Sequence, residues 1–490
     1  MNKERRDMTH HLRTTRNVIL TVSVTLLLAA FALAQDTEAV LHTFTGGRDG
    51  AVGGIQLVSD SAGNLYGTTF SGGNNSTGCE VYTGVPGCGV VFKLTRDGHG
   101  TWKEKVLHTF SGGEDGGIPV GGVILDSAGN LFGTTLVGGD EKPKVCQGSS
   151  SYPPGCGVVF KLTPTAHGPW TERVLYTFTG GKDGNGPWDP LILDSSGNLY
   201  GTTSGGGDDS CLPPYGCGLV FKLTPGANGP WKERVLYAFG GGSAGLDPFA
   251  GVTFDSEGNL YGVTLYGGDT SVRCYGEPGC GVVYELTPRA HGLWKEKVLH
   301  AFKDGTDGAY PLSGVTLDSH GDVYGSALYG GDTTSHNCLG GDGIGAPPGC
   351  GVVFRLTPRA NGTWAETVLY AFTGGRDGNV PTSPVVFDSS GNLYGMTGYG
   401  GDLAATCPFG DEKDNGCGVV FNLRPASKGV WTESVLYAFT GGADGGEPES
   451  NLLFDSAGNI YGMTEGGGNT SDCTGNFSGA GCGVVFELTP

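Results

Sequence analysis

The chain lacks several features that mark common functional classes. After residue 34 it has no long apolar run, so we expect no membrane span in the mature protein. Basic residues are scarce, with 29 Lys and Arg against 49 Asp and Glu, and the net charge of −20 argues against nucleic acid or anionic membranes as partners. No Cys pair has the CxxC spacing typical of zinc sites. No nucleophile elbow, phosphate loop or Ser/His/Asp arrangement is evident.

The first 34 residues form a segment of their own. A basic stretch, residues 3–16, precedes an apolar run, residues 18–34, which ends in Ala-Leu-Ala. This order is the pattern of a secretory signal peptide. An uncleaved membrane anchor is the alternative, but the run is shorter than the roughly 20 residues that a spanning helix needs. We therefore expect a signal peptide at residues 1–34, removed on export, and a mature protein that is secreted, periplasmic or attached to the cell surface.

The rest of the chain is a sevenfold repeat. Its clearest marker is an eight-residue motif that recurs every 61 to 70 residues, as DSAGNLYG at Asp60, DSAGNLFG at Asp126, DSSGNLYG at Asp194 and Asp388, DSEGNLYG at Asp255, DSHGDVYG at Asp318 and DSAGNIYG at Asp455. Each unit contains four strand-like runs, A to D, which in the second unit read GGVILD, LFGTTL, GVVFKLT and WTERVLYTF. No unit shows an apolar period near 3.6, which excludes an α-solenoid. Short antiparallel strands at even spacing predict a β-propeller.

The two ends of the repeat array complement each other. The seventh unit stops at Pro490 directly after its strand C, while residues 36–44, DTEAVLHTF, match a strand D that has no unit before it. We therefore predict an all-β, seven-bladed propeller over residues 35–490, with four-stranded antiparallel blades and a ring closed by this N-terminal strand in the last blade. The expected blades cover approximately residues 45–110, 111–178, 179–239, 240–302, 303–372, 373–439 and 440–490.

Cysteines occur as one neighbouring pair per unit. Their even number in an exported chain predicts one local disulfide in each blade, although spacing alone leaves bridges between units open. The expected bridges are Cys79–Cys88, Cys146–Cys156, Cys211–Cys217, Cys274–Cys280, Cys338–Cys350, Cys407–Cys417 and Cys473–Cys482.

Successive loops of an antiparallel blade lie on opposite faces. The A–B turn holds the repeated motif, and seven near-identical copies favour a structural turn in which the Asp bonds backbone N–H groups and the Gly takes a positive φ. The B–C and D–A loops lie on the other face, which we call the variable face because these loops differ between units.

Six of the D–A loops carry an aspartate in the same register: Asp49, Asp115, Asp183, Asp307, Asp377 and Asp444. Carboxylates on glycine-rich loops are candidate Ca²⁺ ligands, because Ca²⁺ takes six to eight oxygen ligands. The alternative, that each Asp caps its own turn, is favoured by the absence of a DxDxDG spacing. Apart from Ca²⁺ at these positions, we expect no cofactor.

Positions where the units differ are better indicators of a binding site. One position, expected to line the mouth of the central channel, differs in every unit: Gly54, Val120, Trp188, Phe249, Leu312, Thr382 and Glu449. Trp188 lies outside the strand D tryptophans and, with Asp189 beside it, is a candidate for stacking on a sugar ring; plugging the channel is the alternative. We select as candidate ligand-binding residues Trp188, Asp189, Phe249, His336 and Glu449.

No catalytic residue is assigned. His42, His108 and His300 alternate with Tyr at the same register of other units, which indicates packing. We favour a non-catalytic, monomeric binding scaffold whose ligand on the variable face is a glycan or a protein. A propeller hydrolase or lyase is the alternative, with a divalent-metal or carboxylate/His site at the channel mouth.

The unit NLYGTTxxGG … GCGVVFKLTP … W … VLYxFTGG resembles the GloVer tandem repeat, the Gloeobacter/Verrucomicrobia type of exported bacterial proteins, over nearly the whole mature chain. The resemblance implies a bacterial source and a surface or extracellular role, and it implies no activity or catalytic residue. Members often end in a sorting anchor, whereas this sequence ends inside a blade, which favours a free secreted or periplasmic form.

Overall fold

Seven antiparallel sheets form a closed ring, and each sheet is one blade whose strands A to D follow one another outwards from the channel. The structure is a computed structural model, and it describes residues 37–74, 79, 85–147, 154–166, 168–208, 210–226, 230–292, 294–335, 338, 348–405, 407, 416–469, 471, 473 and 481–489. The signal peptide predicted at residues 1–34 lies outside them. In the described part of the chain, no helix is long and apolar enough to cross a membrane.

The strands recur at the same positions in every blade. Strand A is short: Val58–Ser59, Val123–Leu125, Ile192–Leu193, Thr253–Phe254, Thr316–Leu317, Val386–Phe387 and Leu453–Phe454. Strand B comprises Leu65–Ser71, Leu131–Thr135, Leu199–Thr203, Leu260–Thr264, Val323–Ala327, Leu393–Tyr399 and Ile460–Gly466. Strand C comprises Val90–Arg96, Val158–Thr163, Leu219–Thr224, Val282–Pro288, Val352–Pro358, Val419–Pro425 and Val484–Thr489. Strand D comprises Trp102–Thr109, Thr171–Thr177, Lys232–Ala238, Trp294–Ala301, Trp364–Ala371, Trp431–Ala438 and, in blade 7, Thr37–Thr43.

Smaller elements lie in the loops. Three further strands pair with the far end of strand B in blades 1, 6 and 7: Ala51–Gly53, Asn379–Pro381 and Gly446–Pro448. A short hairpin joins Arg273–Cys274 to Glu277–Pro278. Single turns of 3₁₀ helix occur at Lys144–Cys146, Gly242–Ala244, Ala290–Gly292 and Ser427–Gly429.

The N-terminal strand closes the ring as the sequence predicts. Thr37–Thr43 pairs antiparallel with Val484–Thr489, from Thr37 opposite Thr489 to Thr43 opposite Val484. Because this pairing supplies the missing outer strand of blade 7, strand C of that blade has a neighbour on both sides. The predicted seven-bladed propeller is confirmed.

Aromatic rings join each blade to the next. The Phe that follows strand D packs edge-on against the strand C aromatic of the following blade, with ring centroids 5.1 to 5.3 Å apart, as in Phe44 against Phe92. The ring of Phe92 also covers Gly67 of strand B, where a Cβ would lie 2.7 Å from the ring. The last glycine of the repeated motif therefore makes room for the aromatic ring that joins the blades.

The rest of the repeated motif builds the A–B turn. One carboxylate oxygen of Asp60 accepts the backbone N–H groups of Ala62 and Asn64, and the other accepts the Asn64 amide and the Tyr66 hydroxyl, at 2.7 to 3.0 Å. Gly63 takes the left-handed φ of +78° that the turn requires. Since these contacts recur around Asp194, Asp255, Asp388 and Asp455, the motif is a structural turn.

All seven predicted disulfides are present, one in each blade. The carbonyl of the second Cys accepts a hydrogen bond of 2.9 to 3.1 Å from the next blade. Its donor is the backbone N–H of a residue with φ between 51° and 64°, one in each blade: Val52, Ile118, Gly186, Asp247, Tyr310, Val380 and Glu447. Non-glycine residues rarely adopt this conformation. The bond between blades holds it and thereby fixes the segment that leads to the channel mouth.

Candidate functional site

A cavity of about 480 Å³ lies at the variable-face end of the central channel. The segments that lead into strand A enclose it. Its lining is largely apolar, with a few polar groups: Gln56, Asp189, Thr253, Ser313, Thr382, Glu449 and Asn451. Its size and composition are those of small-molecule binding sites, which typically measure about 300–1,000 Å³.

Five of the seven residues predicted at the channel mouth line this cavity, and the candidate Asp189 lines it as well; the five are Trp188, Phe249, Leu312, Thr382 and Glu449. His336 lies outside the described residues. Gly54 and Val120 do not line the cavity, which corrects the prediction for blades 1 and 2.

Val120 is buried because the inner segment of blade 2 is held between its neighbours. A Cβ on Gly121 would lie 2.6 Å from the carbonyl of Asp189, and a Cβ on Gly122 would lie 2.6 Å from the Cβ of Gln56. The two glycines therefore allow the backbones of three blades to meet. Blade 1 presents Gln56 to the cavity in place of the predicted glycine.

Two aromatic rings form one wall of the cavity. Trp188 of blade 3 and Phe249 of blade 4 have ring centroids 4.4 Å apart and planes tilted by 39°. Both side chains are only partly buried, and both follow a loop proline directly in the sequence. The pair is a rigid apolar surface next to polar groups, which suits a ligand with one flat apolar face.

Asp189 is the buried acid of this wall. Its Oδ2 atom is buried and has no hydrogen-bond partner among the described residues. Burial raises the pKa of its carboxyl well above the usual range, and a hydrogen bond from the backbone N–H of Gly251 opposes this rise only in part. This shift favours the neutral form of the carboxyl, which can both donate and accept a hydrogen bond.

A second acidic group comes from blade 7. The side chains of Glu449 and Glu465 are hydrogen-bonded to each other, which requires that at least one of them carries a proton. Burial raises the pKa of Glu449, and burial together with the charges of Glu449 and Glu447 raises that of Glu465 well above its usual range. Both shifts favour a proton shared by the pair beside the cavity.

Some of the other polar groups that line the cavity are already hydrogen-bonded within the protein. Thr382 donates its hydroxyl to the carbonyl of Pro448 at 2.8 Å, and Asn451 accepts the N–H of Leu57 at 2.8 Å. The Oε1 atom of Gln56, in contrast, is buried without a partner in the described part of the chain. Gln56 and Asp189 are thus the groups that a ligand would satisfy, since an unpaired buried polar atom is costly.

The six D–A loop aspartates lie apart, one per blade, and bond within their own loops. In Asp377, one carboxylate oxygen accepts the backbone N–H of Thr373 at 2.8 Å and the hydroxyl of Tyr370 at 3.0 Å, and the other accepts the Thr373 hydroxyl at 2.7 Å. Equivalent contacts surround Asp49, Asp115, Asp183, Asp307 and Asp444. These contacts match the turn-capping alternative.

The same contacts explain the exchange of His and Tyr on strand D. His300 stands where Tyr370 stands one blade later, and its Nε2 lies 3.2 Å from Asp307. Both residue types thus present a polar atom to the loop aspartate.

Among the described residues, the one group of three potential metal ligands within reach of one another is Cys274, Cys280 and Asp304, and its two cysteines form a disulfide.

Sequence reasoning missed Gln56 and Glu465. Glu465 stands two residues after the Met463 position of the repeat, where the other blades have Phe70, Leu136 or another non-acidic residue. This acid was therefore the signal that the sequence offered. Gln56 gave no such signal, because the alignment placed Gly54 at the channel mouth.

Two solved structures are similar to this chain at low identity. A gluconolactonase from Xanthomonas campestris is 14% identical, over 74% of this chain and 86% of its own, with a TM-score of 0.36. A fungal alcohol oxidase of the AA5 family, in complex with copper, is 14% identical, over 93% of this chain and 77% of its own, with a TM-score of 0.48. No curated protein matches the sequence. The family model described as the Gloeobacter/Verrucomicrobia repeat matches residues 78–339, more than half of the chain, and the protein therefore belongs to the Gloeobacter/Verrucomicrobia repeat family.

Proposed function

We propose that this protein is exported and binds a sugar unit of a glycan in the central cavity, without converting it. The observation that carries the proposal is the pairing of an aromatic wall, Trp188 and Phe249, with the unpaired buried oxygens of Asp189 and Gln56. A sugar ring has an apolar face that packs on aromatic rings and hydroxyl groups that satisfy such oxygens.

Export is supported by the seven disulfides, which form and persist in oxidising compartments. The basic and apolar pattern of residues 1–34 supports a cleaved signal peptide. Expression of the full chain in a bacterial host should yield an extracytoplasmic protein whose intact mass corresponds to a start at residue 35. A mass that includes residues 1–34 would contradict cleavage.

A glycan array tests the binding. We expect wild-type protein to bind a defined set of glycans, and Trp188→Ala to weaken binding to the strongest of them by at least tenfold, about 1.4 kcal/mol. Asp189→Ala should weaken it as well, because alanine removes both carboxyl oxygens that would bond a sugar hydroxyl. Trp231→Ala, which removes a tryptophan just before an outer strand, is the matched control and should bind as wild type does.

The proposal fails if wild-type protein binds no glycan, or if Trp188→Ala and Trp231→Ala bind equally well. Thermal unfolding of each variant shows whether a loss of binding reflects a loss of folded protein.

A hydrolase or lyase is the second candidate function, and the hydrogen-bonded pair Glu449 and Glu465 favours it. A protonated carboxyl beside a carboxylate is a potential general acid. Release of new reducing ends or unsaturated products from the bound glycan would support this function, provided that Glu449→Gln abolishes the release. If bound glycans are recovered intact after prolonged incubation, binding without catalysis stands.

A further inference from the structure

A second cavity lies beside the first on the variable face. It measures about 620 Å³ and is formed by loops of blades 2 to 4. Its lining includes Lys144, Asn185, Tyr215 and Asp247, and it also includes Trp188 and Phe249. Because Trp188 and Phe249 line both cavities, the aromatic pair is the wall between them.

Each aromatic residue of this wall has an acid close to it in the sequence. Asp189 follows Trp188 and lines the central cavity, whereas Asp247 stands two residues before Phe249 and lines the second cavity. The Oδ1 atom of Asp247 is buried and, like Oδ2 of Asp189, has no hydrogen-bond partner in the described part of the chain. Burial raises the pKa of Asp247 to about 7. The two cavities thus repeat one arrangement, a buried carboxyl beside an aromatic ring.

The outer rim of the second cavity has its own aromatic side chain. Tyr215 belongs to the B–C loop of blade 3, and 65% of its surface is exposed. An exposed tyrosine above a cavity with a buried acceptor provides a second apolar surface for a ring-shaped ligand.

We infer that the site binds a linear oligosaccharide of at least two units, with one unit in the central cavity and the next in the second cavity. Trp188 and Phe249 would then contact both units, while Asp189 and Asp247 would each bond the hydroxyls of one. This inference rests on the proposed function and names its ligand class, because a single sugar would leave the Asp247 oxygen unsatisfied.

The length of the ligand tests the inference. The probes are cello-, xylo-, chito- and malto-oligosaccharides of one to six units, titrated into the full mature protein by calorimetry. For the series that binds, affinity should rise at least tenfold between one unit and two or three units, and then level off once both cavities are filled.

Two variants test what the second cavity contributes to the affinity for longer oligosaccharides. Asp247 has a φ of +60°, and Gly186 stands at the same position of blade 3, so Asp247→Gly removes the carboxyl while keeping a backbone that glycine adopts readily. Tyr215→Ala removes the aromatic rim. In both variants the increase in affinity from one sugar unit to three should fall to about twofold or less, while the affinity for one unit is unchanged. Leu212→Ala, an exposed residue of the same loop that does not line the cavity, is the control and should keep the full gain.

The outcomes separate this inference from the proposed function. If single units bind and longer chains bind no better, or if both variants keep the full gain, the second subsite is refuted and the central site stands. If no member of any series binds wild-type protein, the two-unit inference is refuted, and the proposed function is refuted with it only if the glycan array also shows no binding. Unfolding midpoints within the range of wild type confirm that the variants are folded.

Discussion

Seven glutamates of strand D should make the ring less stable as the pH rises. We call them the outer glutamates, and they stand at one register, one per blade: Glu38, Glu104, Glu172, Glu233, Glu296, Glu366 and Glu433. In each, Oε1 is buried without a hydrogen-bond partner among the described residues. Burial is the main cause that raises their pKa values, to about 7 for five of them. In Glu233 and Glu433, the charges of Asp183 and Asp377, in the D–A loop that leads into the same blade, raise the pKa further.

The raised pKa values determine whether stability rises or falls with pH. A carboxyl whose pKa is raised by folding contributes stability that is complete below about 4.5 and is lost as the pH rises through about 7. A rise from 4.5 to about 7 corresponds to about 3.4 kcal/mol if it is fully expressed. Because these side chains are only half-buried, solvent screening reduces the contribution to about 1 kcal/mol each. The folded ring should therefore lose several kcal/mol of stability between pH 5 and pH 8.

The double variant Glu233→Gln/Glu433→Gln isolates the effect, because glutamine mimics the protonated acid. The two sites lie in separate blades and should act additively. We expect the free energy of unfolding to match wild type at pH 5 and to exceed it by about 2 kcal/mol at pH 8. Denaturant titration with the disulfides intact measures both values. Glu257→Gln, an exposed glutamate of an A–B turn, is the control and should change neither value. An equal effect of the double variant at both pH values would refute the reasoning.

Three further predictions concern the fold. Replacing Cys79 and Cys88 with Ala should destabilise the protein by about 3 kcal/mol, since the bridge restricts the unfolded chain, and a thermal midpoint equal to wild type would contradict this role. Asp60→Ala removes an acceptor of four hydrogen bonds and should cost about 1–3 kcal/mol in a denaturant titration while leaving glycan affinity unchanged; a loss of affinity at full stability would instead make the turn a binding element. A chain that starts at residue 44 lacks the outer strand of blade 7 and should self-associate through the exposed edge of Val484–Thr489, whereas a chain that starts at residue 35 should elute as a monomer in size-exclusion chromatography with light scattering. A monomeric truncated chain would show that the edge is protected in another way.

The sequence predicts the fold well because every element occurs seven times. The match of residues 36–44 to strand D identifies the closing strand, since its alternation and its Glu38 agree with six other copies. The disulfides follow for the same reason, because each pair recurs whole within one unit.

A site residue can be predicted from the sequence only under two conditions. It must differ from the residues at the same position of the other units, and the repeat must show that this position faces the channel. Trp188, Asp189, Phe249 and Glu449 meet both conditions, and all four line the cavity. Val120 does not line the cavity, because Gly121 and Gly122 let its segment approach the neighbouring backbones. Such contacts between blades cannot be recognised from the sequence pattern of a single unit.

Asp247 could not be predicted from the sequence for a different reason. Its D–A loop lacks the usual aspartate and has Ala244 in that place, and Tyr237 bonds Glu296 at 3.2 Å instead of a loop acid. The acid that the loop does carry lies three residues later, on the left-handed residue that faces the second cavity. Which of two nearby positions faces a cavity depends on the backbone conformation, which the residue types alone do not specify.

The central claim is that the cavity between Trp188, Phe249 and Asp189 is the ligand site. A crystal structure of the mature protein with the glycan that binds most strongly on the array tests it most directly. We predict a sugar ring packed on the Trp188 and Phe249 wall, with a hydroxyl within hydrogen-bond distance of Asp189 Oδ2. A glycan bound on the opposite face or along the outer strands, with this cavity unfilled, would contradict the claim.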